Sequence, residues 1–316
     1  MLGFYKPTRL RGDVDRNRYF EGWFQKVCSV EHRVSFVIIY GYATQNSHDT
    51  FGFIQLLVPD QAPRIVYFGK DEISCDSERH IVRMGDNVLS TESIAVDSND
   101  ISIQLTLMGN QPIQTFKNSM GYTYFVPNLP CYHSVLNTAH RVSGEIRSKD
   151  STYFLENDLG YMEKNWGTSF PENYVWLHAV DPHDPQVSLL FSQAEIKWLG
   201  RTFLRHVGHC RFDGNEIDLR DLKNVTVTIV HHSNEQQTIR ITSSTVEIDI
   251  SIALAVNVKF KGPMDGTLSR DILHYTDAVI NLRVSQRGTT RMFQLVGNCE
   301  SVGSLQTPST RTIRNP

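Results

Sequence analysis

Apolar and polar positions alternate along most of this chain with a period of two, the signature of half-buried β-strands. The cleanest run is residues 101–107, where Ile101, Ile103, Leu105 and Leu107 stand against Ser102, Gln104 and Thr106. Residues 33–44 are aromatic and β-branched, the composition of a buried strand. Residues 50–58 and 64–68 follow across a Pro59-to-Pro63 turn, and shorter strands are expected at 80–83, 88–90 and 93–96. Residues 141–147 and 152–155 read as a hairpin across Ser148-Lys149-Asp150-Ser151. The second half repeats the pattern at 174–180, 187–196, 204–212, 225–230, 238–242, 245–252, 278–284 and 292–296. Asp213-Gly214-Asn215 and Gln286-Arg287-Gly288 mark hairpins there. No stretch sustains a helical period beyond about two turns. The spacing predicts an all-β chain of two tandem antiparallel barrels with roughly eight strands each, enough to hold a small ligand.

The expected organisation is an arm over residues 1–17, a first barrel over 18–158, a second over 159–305 and a flexible tail over 306–316. Residues 108–140 break the period with Gly109, Pro112, Gly121, Pro127 and Pro130. They read as a loop or short helix covering the mouth of the first barrel. Charge changes the picture only by exclusion. A net charge of -3 over 316 residues, with no basic stripe, argues against nucleic acid. The apolar run at 34–42 is far short of the ~20 residues of a membrane span. Residues 1–11 lack an apolar signal stretch. A soluble cytoplasmic protein is expected, touching membranes at most peripherally. Its five cysteines are scattered without Cys-x-x-Cys, which predicts neither a disulfide framework nor a zinc site.

Phosphate loops, Gly-x-Ser-x-Gly and His-Glu-x-x-His are missing, so no nucleotide, metal or other cofactor is expected. His206 and His209 stand three apart, which on a strand turns them to opposite faces. The chemically dense stretch is Gly160-Tyr161-Met162-Glu163-Lys164-Asn165-Trp166-Gly167, followed by Phe170-Pro171 and Trp176. As a strand it puts Tyr161, Glu163 and Asn165 on one face and Met162, Lys164 and Trp166 on the other. Gly167 then permits a bend. Isolated acids and aromatics in barrel interiors are the remaining material for chemistry.

Glu163-Lys164-Asn165-Trp166-Gly167, then Phe170-Pro171, then Trp176, resembles the tocopherol cyclase family. Tyr19-Phe20-Glu21-Gly22-Trp23-Phe24-Gln25-Lys26 resembles that family's opening element. Cys131-Tyr132-His133-Ser134 with Gly144-Glu145-Ile146 resembles the segment before the central motif, and Ser269-Arg270-Asp271 its C-terminal element. The family's His-Cys-His run reads Cys131-Tyr132-His133 here, a departure that bears on substrate more than on fold. The resemblance implies two lipocalin-like barrels, related to the carotenoid hydratases. It implies an isomerase-type reaction in which a prenyl double bond of a hydrophobic isoprenoid is protonated and a ring closes, or water adds. A neutral carboxylic acid in an apolar pocket would supply the proton, and aromatic faces would hold the cation. The candidate acids are Glu163, Asp271 and Glu21, with Lys164 and Arg270 as charges that set or quench them. Trp23, Trp166 and Trp176 are candidate walls. Tyr161, Asn165 and His133 are candidate substrate contacts, His133 as a base for a phenol. The competing expectation is a non-catalytic lipocalin-like carrier, in which these acids serve only salt bridges and these indoles only packing.

Overall fold

The structure, a computed structural model, describes residues 16–29, 31–46, 49–58, 61–76, 79–98, 101–109, 119–148, 151–220, 222–231, 233, 235–254, 257–303 and 305. Most of the expected arm, the expected tail, part of the covering segment (110–118), the hairpin tip at 149–150 and His232 lie outside the described residues. Among the described residues helical structure is confined to two short 3-10 turns, Lys70–Glu72 and Gly121–Phe125. Everything else regular is strand, as the alternation requires.

Two compact units divide the chain. The first comprises Met1–Phe170, Lys197–Leu199 and Lys259–Ile272; the second comprises Pro171–Ile196, Gly200–Val258 and Leu273–Pro316. The strands of the first sheet are β1 (Tyr19–Ser29), β2 (Val34–Thr44), β3 (Thr50–Leu57), β4 (Arg64–Gly69), β5 (Ile73–Asp76), β6 (Ile81–Met84), β7 (Asn87–Leu89), β8 (Ser93–Ser98), β9 (Ile101–Met108), β10 (Cys131–Ser148) and β11 (Ser151–Gly167). Their order is β4-β3-β2-β1-β11-β10-β9-β8-β7-β6-β5, so the two edge strands are consecutive in sequence. Only the Lys70–Glu72 turn separates them, held where Gly69 N donates to Glu72 Oε2 (2.7 Å) and Gly85 N to Glu72 O (3.0 Å). Eleven antiparallel strands thus curl into a nearly closed barrel. Residues 158 and 159, where the sequence was divided, both fall inside β11.

The pleat sorts β1 onto two faces. Trp23 and Val27 point inward with Phe36, Ile38, Tyr40, Ile54, Leu56 and Met162, forming the barrel's apolar core. Each such large side chain, fully buried, stabilises the fold by about 1.5–3 kcal/mol. Gln55 on β3 reaches the backbone of a later strand, accepting from Lys261 N and donating to Lys261 O, both at 2.9 Å.

The second sheet contains β12 (Tyr174–Val180), β13 (Ser188–Trp198), β14 (Arg201–Phe212), β15 (Asn215–Asp218), β16 (Thr226–His231), β17 (Gln236–Thr242), β18 (Val246–Ala253), β19 (Asn257–Met264), β20 (Thr267–Gln286) and β21 (Thr289–Val302). The path runs β15-β14-β13-β12-β21-β20-β18-β17-β16, with β19 paired to β20. Its inward face is aliphatic, with Leu177, Phe191, Ile239, Ile248, Ile250 and Ile280 all buried.

Three expectations need correction. Sheets of 11 and 10 strands exceed the eight expected of each. Cys131–His140 is strand, not covering loop. Its period was hidden because register shifts between Val135 and Asn137, and again before His140, move side chains out of strict alternation. The missed strand β19 carries Gly262 and Pro263, both poor strand signals.

Candidate functional site

β11 sets the chemistry, because its neighbours on both sides are polar and aromatic. It pairs with β1 (Glu21↔Trp166, Trp23↔Lys164) and with β10 (Ser134↔Lys164, Tyr132↔Trp166). Alternation therefore gathers Tyr19, Glu21, Trp23, Lys164 and Trp166 on the face that looks into the first barrel. The hairpin partner β2 adds Tyr40 and Tyr42 through Trp23↔Tyr40 and Glu21↔Tyr42.

Lys164 and Glu21 are fully buried and form an ion pair, Lys164 Nζ to Glu21 Oε1. The other carboxylate oxygen accepts from the Tyr19 hydroxyl (2.8 Å) and the Tyr42 hydroxyl (3.0 Å). Burial, and then the Glu21 charge, push the Tyr42 phenol far above its ordinary value, so it stays a donor. The ammonium also sits 4.9 Å from the Trp23 ring centroid and 5.4 Å from that of Trp166. Tyr40 stacks on Trp23 and Tyr132 on Trp166, each at 5.5 Å. The Lys164 ammonium is thus flanked by two indoles, each backed by a phenol, and paired with the Glu21 carboxylate, while the Arg16 guanidinium lies 4.8 Å from the Tyr19 ring. Ile73, Tyr124 and Tyr132 are partly buried against Tyr19, Tyr42 and Trp166, and Tyr124 lies 6.1 Å from the Trp166 ring. Tyr124 belongs to the Gly121–Phe125 turn, whose Tyr122 and Phe125 are exposed. Cys75 completes the rim. Burial raises its thiol to about 12, with Glu21 adding to the rise and Lys164 opposing it.

The opposite face of β11 holds a second cluster. Glu163 accepts from Tyr161 OH (2.6 Å) and Asn165 Nδ2 (2.9 Å), and pairs with His133 Nε2 (2.9 Å). Ser119 Oγ lies 3.2 Å from His133 Nδ1 and donates to the His133 carbonyl (2.9 Å). Burial alone would raise the Glu163 pKa, but the His133 charge and the hydrogen bonds from His133, Tyr161 and Asn165 together lower it. Glu163 is therefore held ionised, the reverse of a proton-loaded acid. Gly167, with φ 145°, ends the strand where a Cβ would meet Pro130 O at 2.3 Å.

The remaining candidates scatter. Asp271 is exposed, and its pair with Lys261 (2.5 Å) holds its carboxyl below the ordinary range. Arg270 is half-buried. Trp176 belongs to the second unit, with its ring 6.1 Å from His274. There Glu300 accepts from Tyr174 OH (2.7 Å) and pairs with His274 Nδ1 (2.8 Å), while Asn298 Nδ2 donates to His274 Nε2 (2.8 Å). The second unit also carries an outer-face groove of about 810 Å³ across β16, β17, β18, β20 and β21, and no residue singled out from the sequence lines it. Sequence reasoning missed Tyr19, Tyr40 and Tyr42, although Tyr19-x-Glu21-x-Trp23 alternates in plain view.

Residues 99–208 match the model of the tocopherol cyclase-like family, a segment that contains His133 and the whole Gly160–Pro171 stretch. No curated protein sequence matches the chain. Crystal structures that share its fold include the following two. One is an AttH candidate from Nitrosomonas europaea, 11% identical with a TM-score of 0.53, covering 92% of this chain and 96% of that one. The other is CghA, 9% identical with a TM-score of 0.57, covering 90% and 88%. At such identities the likeness is one of fold. It agrees with two lipocalin-like units in tandem.

Proposed function

We propose, taking the tocopherol cyclase-like character of residues 99–208 as the premise, that the first barrel catalyses an isomerase-type reaction on a hydrophobic isoprenoid. A prenyl double bond is protonated, and a ring closes or water adds. The observation that carries this reading is the position of Glu21, the one candidate acid that faces the aromatic interior beside Trp23 and Trp166. Asp271 is at the surface and Glu163 is held as a carboxylate on the other face.

At rest Glu21 shares the Lys164 charge. An apolar substrate pressing between the indoles separates the pair. In a dry aromatic setting two separated charges are costly, so the proton passes from ammonium to carboxylate. Glu21 then gives that proton to the alkene. The positive charge moves to a tertiary carbon, held by the same Trp23 and Trp166 faces that held the ammonium. Loss of a proton from the attacking phenol or water to Lys164 restores the pair. A cytoplasmic setting fits the five cysteines, which stand as thiols.

The test is incubation with prenylated quinols and linear polyprenes. A product of equal mass with one fewer double bond, or heavier by one water, is expected. In heavy water one carbon-bound deuterium should appear. Glu21→Gln should abolish turnover, whereas Glu163→Gln and Asp271→Asn should retain it. A second reading, the carrier, is favoured by one observation: Glu21 is already matched by Lys164 and two tyrosines, and needs no catalytic task to account for it. Tight binding of both substrate groups without any turnover would establish the carrier and end the isomerase reading.

A further inference from the structure

A lysine buried in an aromatic box with one carboxylate partner can do more than balance charge. Its amine is a nucleophile towards carbonyl carbon once the proton is removed, and desolvation by apolar walls is the usual way proteins bring that about. Lys164 has the buried aromatic walls and, in Glu21, a neighbour that can take its proton. Its side chain is fully buried and paired with Glu21, Trp23 and Trp166 flank the nitrogen, and Tyr19 and Tyr42 fix the carboxylate from the far side. Among the described residues the half-buried Tyr124, Tyr132 and Ile73 pack against Tyr19, Tyr42 and Trp166 at this end of the barrel, and the Arg16 guanidinium lies 4.8 Å from the Tyr19 ring.

We propose that Lys164 is an imine-forming residue, and that the first barrel takes a long apolar aldehyde covalently. Lys164 hands one proton to Glu21, and the free amine adds to the aldehyde carbon to give a carbinolamine. Glu21 returns its proton to the departing hydroxyl, water leaves, and a carbon–nitrogen double bond remains. The nitrogen keeps its last hydrogen, so this double bond is cationic as it forms, with Glu21 as its counter-ion. The product charge equals that of the resting pair, so the two indole faces and the carboxylate serve it unchanged. An aldehyde fits where a ketone does not, because Trp23 and Trp166 crowd the nitrogen from both sides. A conjugated chain fits best, since its delocalised cation can lie along aromatic faces. This goes beyond the acid–alkene reaction and does not require it: it rests on the same cluster but on a different bond.

The experiment uses the full chain with retinal and with decanal as probes, sodium cyanoborohydride as trap, and peptide mapping by mass spectrometry. The expected result is near-stoichiometric reductive addition at Lys164, with other lysines labelled at least ten-fold less. Retinal absorbance should shift to the red on binding and back when Glu21→Gln removes the counter-ion. Lys164→Met should lose the adduct. If that variant does not fold, the map of the wild-type protein decides alone. Labelling spread evenly over surface lysines, or retinol binding as tightly as retinal with no trapped product, overturns the proposal. Turnover of prenylated quinols without any Lys164 adduct would sink the imine and leave the isomerase standing. An adduct without turnover would do the reverse.

Discussion

Replacing Lys164 by Met should cost more than any other single change considered for this protein, and the loss should be reversed by a second change. Glu21 is fully buried, and without Lys164 it would lose its paired cation while the Tyr19 and Tyr42 hydroxyls stay. Breaking a buried pair from one side typically costs about 3–5 kcal/mol, because the other charge stays behind uncompensated. That is a large fraction of the roughly 5–15 kcal/mol that holds a domain folded. Glu21→Gln leaves Lys164 stranded in the same way, apart from what the indole faces contribute, about 2 kcal/mol in a desolvated setting. The double variant Glu21→Gln/Lys164→Met removes both charges of this pair and keeps an acceptor for the tyrosines. It should lie within about 2 kcal/mol of wild type, giving a coupling of at least about 2 kcal/mol in the double-mutant cycle. Urea unfolding followed by tryptophan emission reads the effect where it occurs, since Trp23 and Trp166 flank the pair. At about 1–3 kcal/mol per molar urea, Lys164→Met should lower the midpoint by about one molar or more, and Glu21→Gln by less. Strictly additive losses, or singles that cost under about 1 kcal/mol, would refute the reasoning and make the pair a bystander.

Other outcomes follow from the same geometry. Gly160→Ala would place a Cβ 2.2 Å from His140 Nε2, the atom to which Gln25 Nε2 donates at 2.8 Å. Overpacking should cost about 1–3 kcal/mol, measured by denaturation, and a His140→Ala change in the same chain should recover most of it. Burial lowers the His140 pKa from 6.5 to about 4, so the unfolded chain binds the proton more tightly than the native one. Its stabilisation is therefore complete above about pH 6.5 and falls away as pH drops towards 4, by up to about 3 kcal/mol. His140→Gln should flatten that part of the stability–pH curve, and an unchanged slope would count against the assignment. Glu163, with its pKa lowered, should add a further loss as pH falls below 4.5, absent in Glu163→Gln. Asp271→Asn should leave both stability and turnover unchanged, since its partner Lys261 is itself exposed.

Alternation made much of this protein legible. The opposite facing of Glu163 and Lys164 followed from strand periodicity alone, and the structure has it so. The fold class followed as well, because short alternating runs with turn residues leave few architectures open. What the sequence hid was long-range pairing. Nothing local to Glu21 says that Lys164, far along the chain, is its partner, since that depends on β1 lying against β11 in one register. The same holds for Ser119 beside His133, and for the Glu300, His274 and Tyr174 cluster, whose members come from three strands. Asp271 misled because a motif fixes residue types, not depth, and its strand position turns it to solvent. Trp176 misled similarly, since closeness along the chain to Trp166 did not bring it into the same unit.

Because neighbouring residues of β11 serve separate compartments, spacing in this strand matters as much as identity. One amino acid inserted just before Tyr161 would preserve every side chain, yet exchange the two compartments. The ammonium and the Trp166 indole would swing out to the face of His133, and Glu163 would turn inward opposite Trp23, close to Glu21 and with no cation. A library of such single-residue slips would report on both clusters at once, without altering the chemical identity of either.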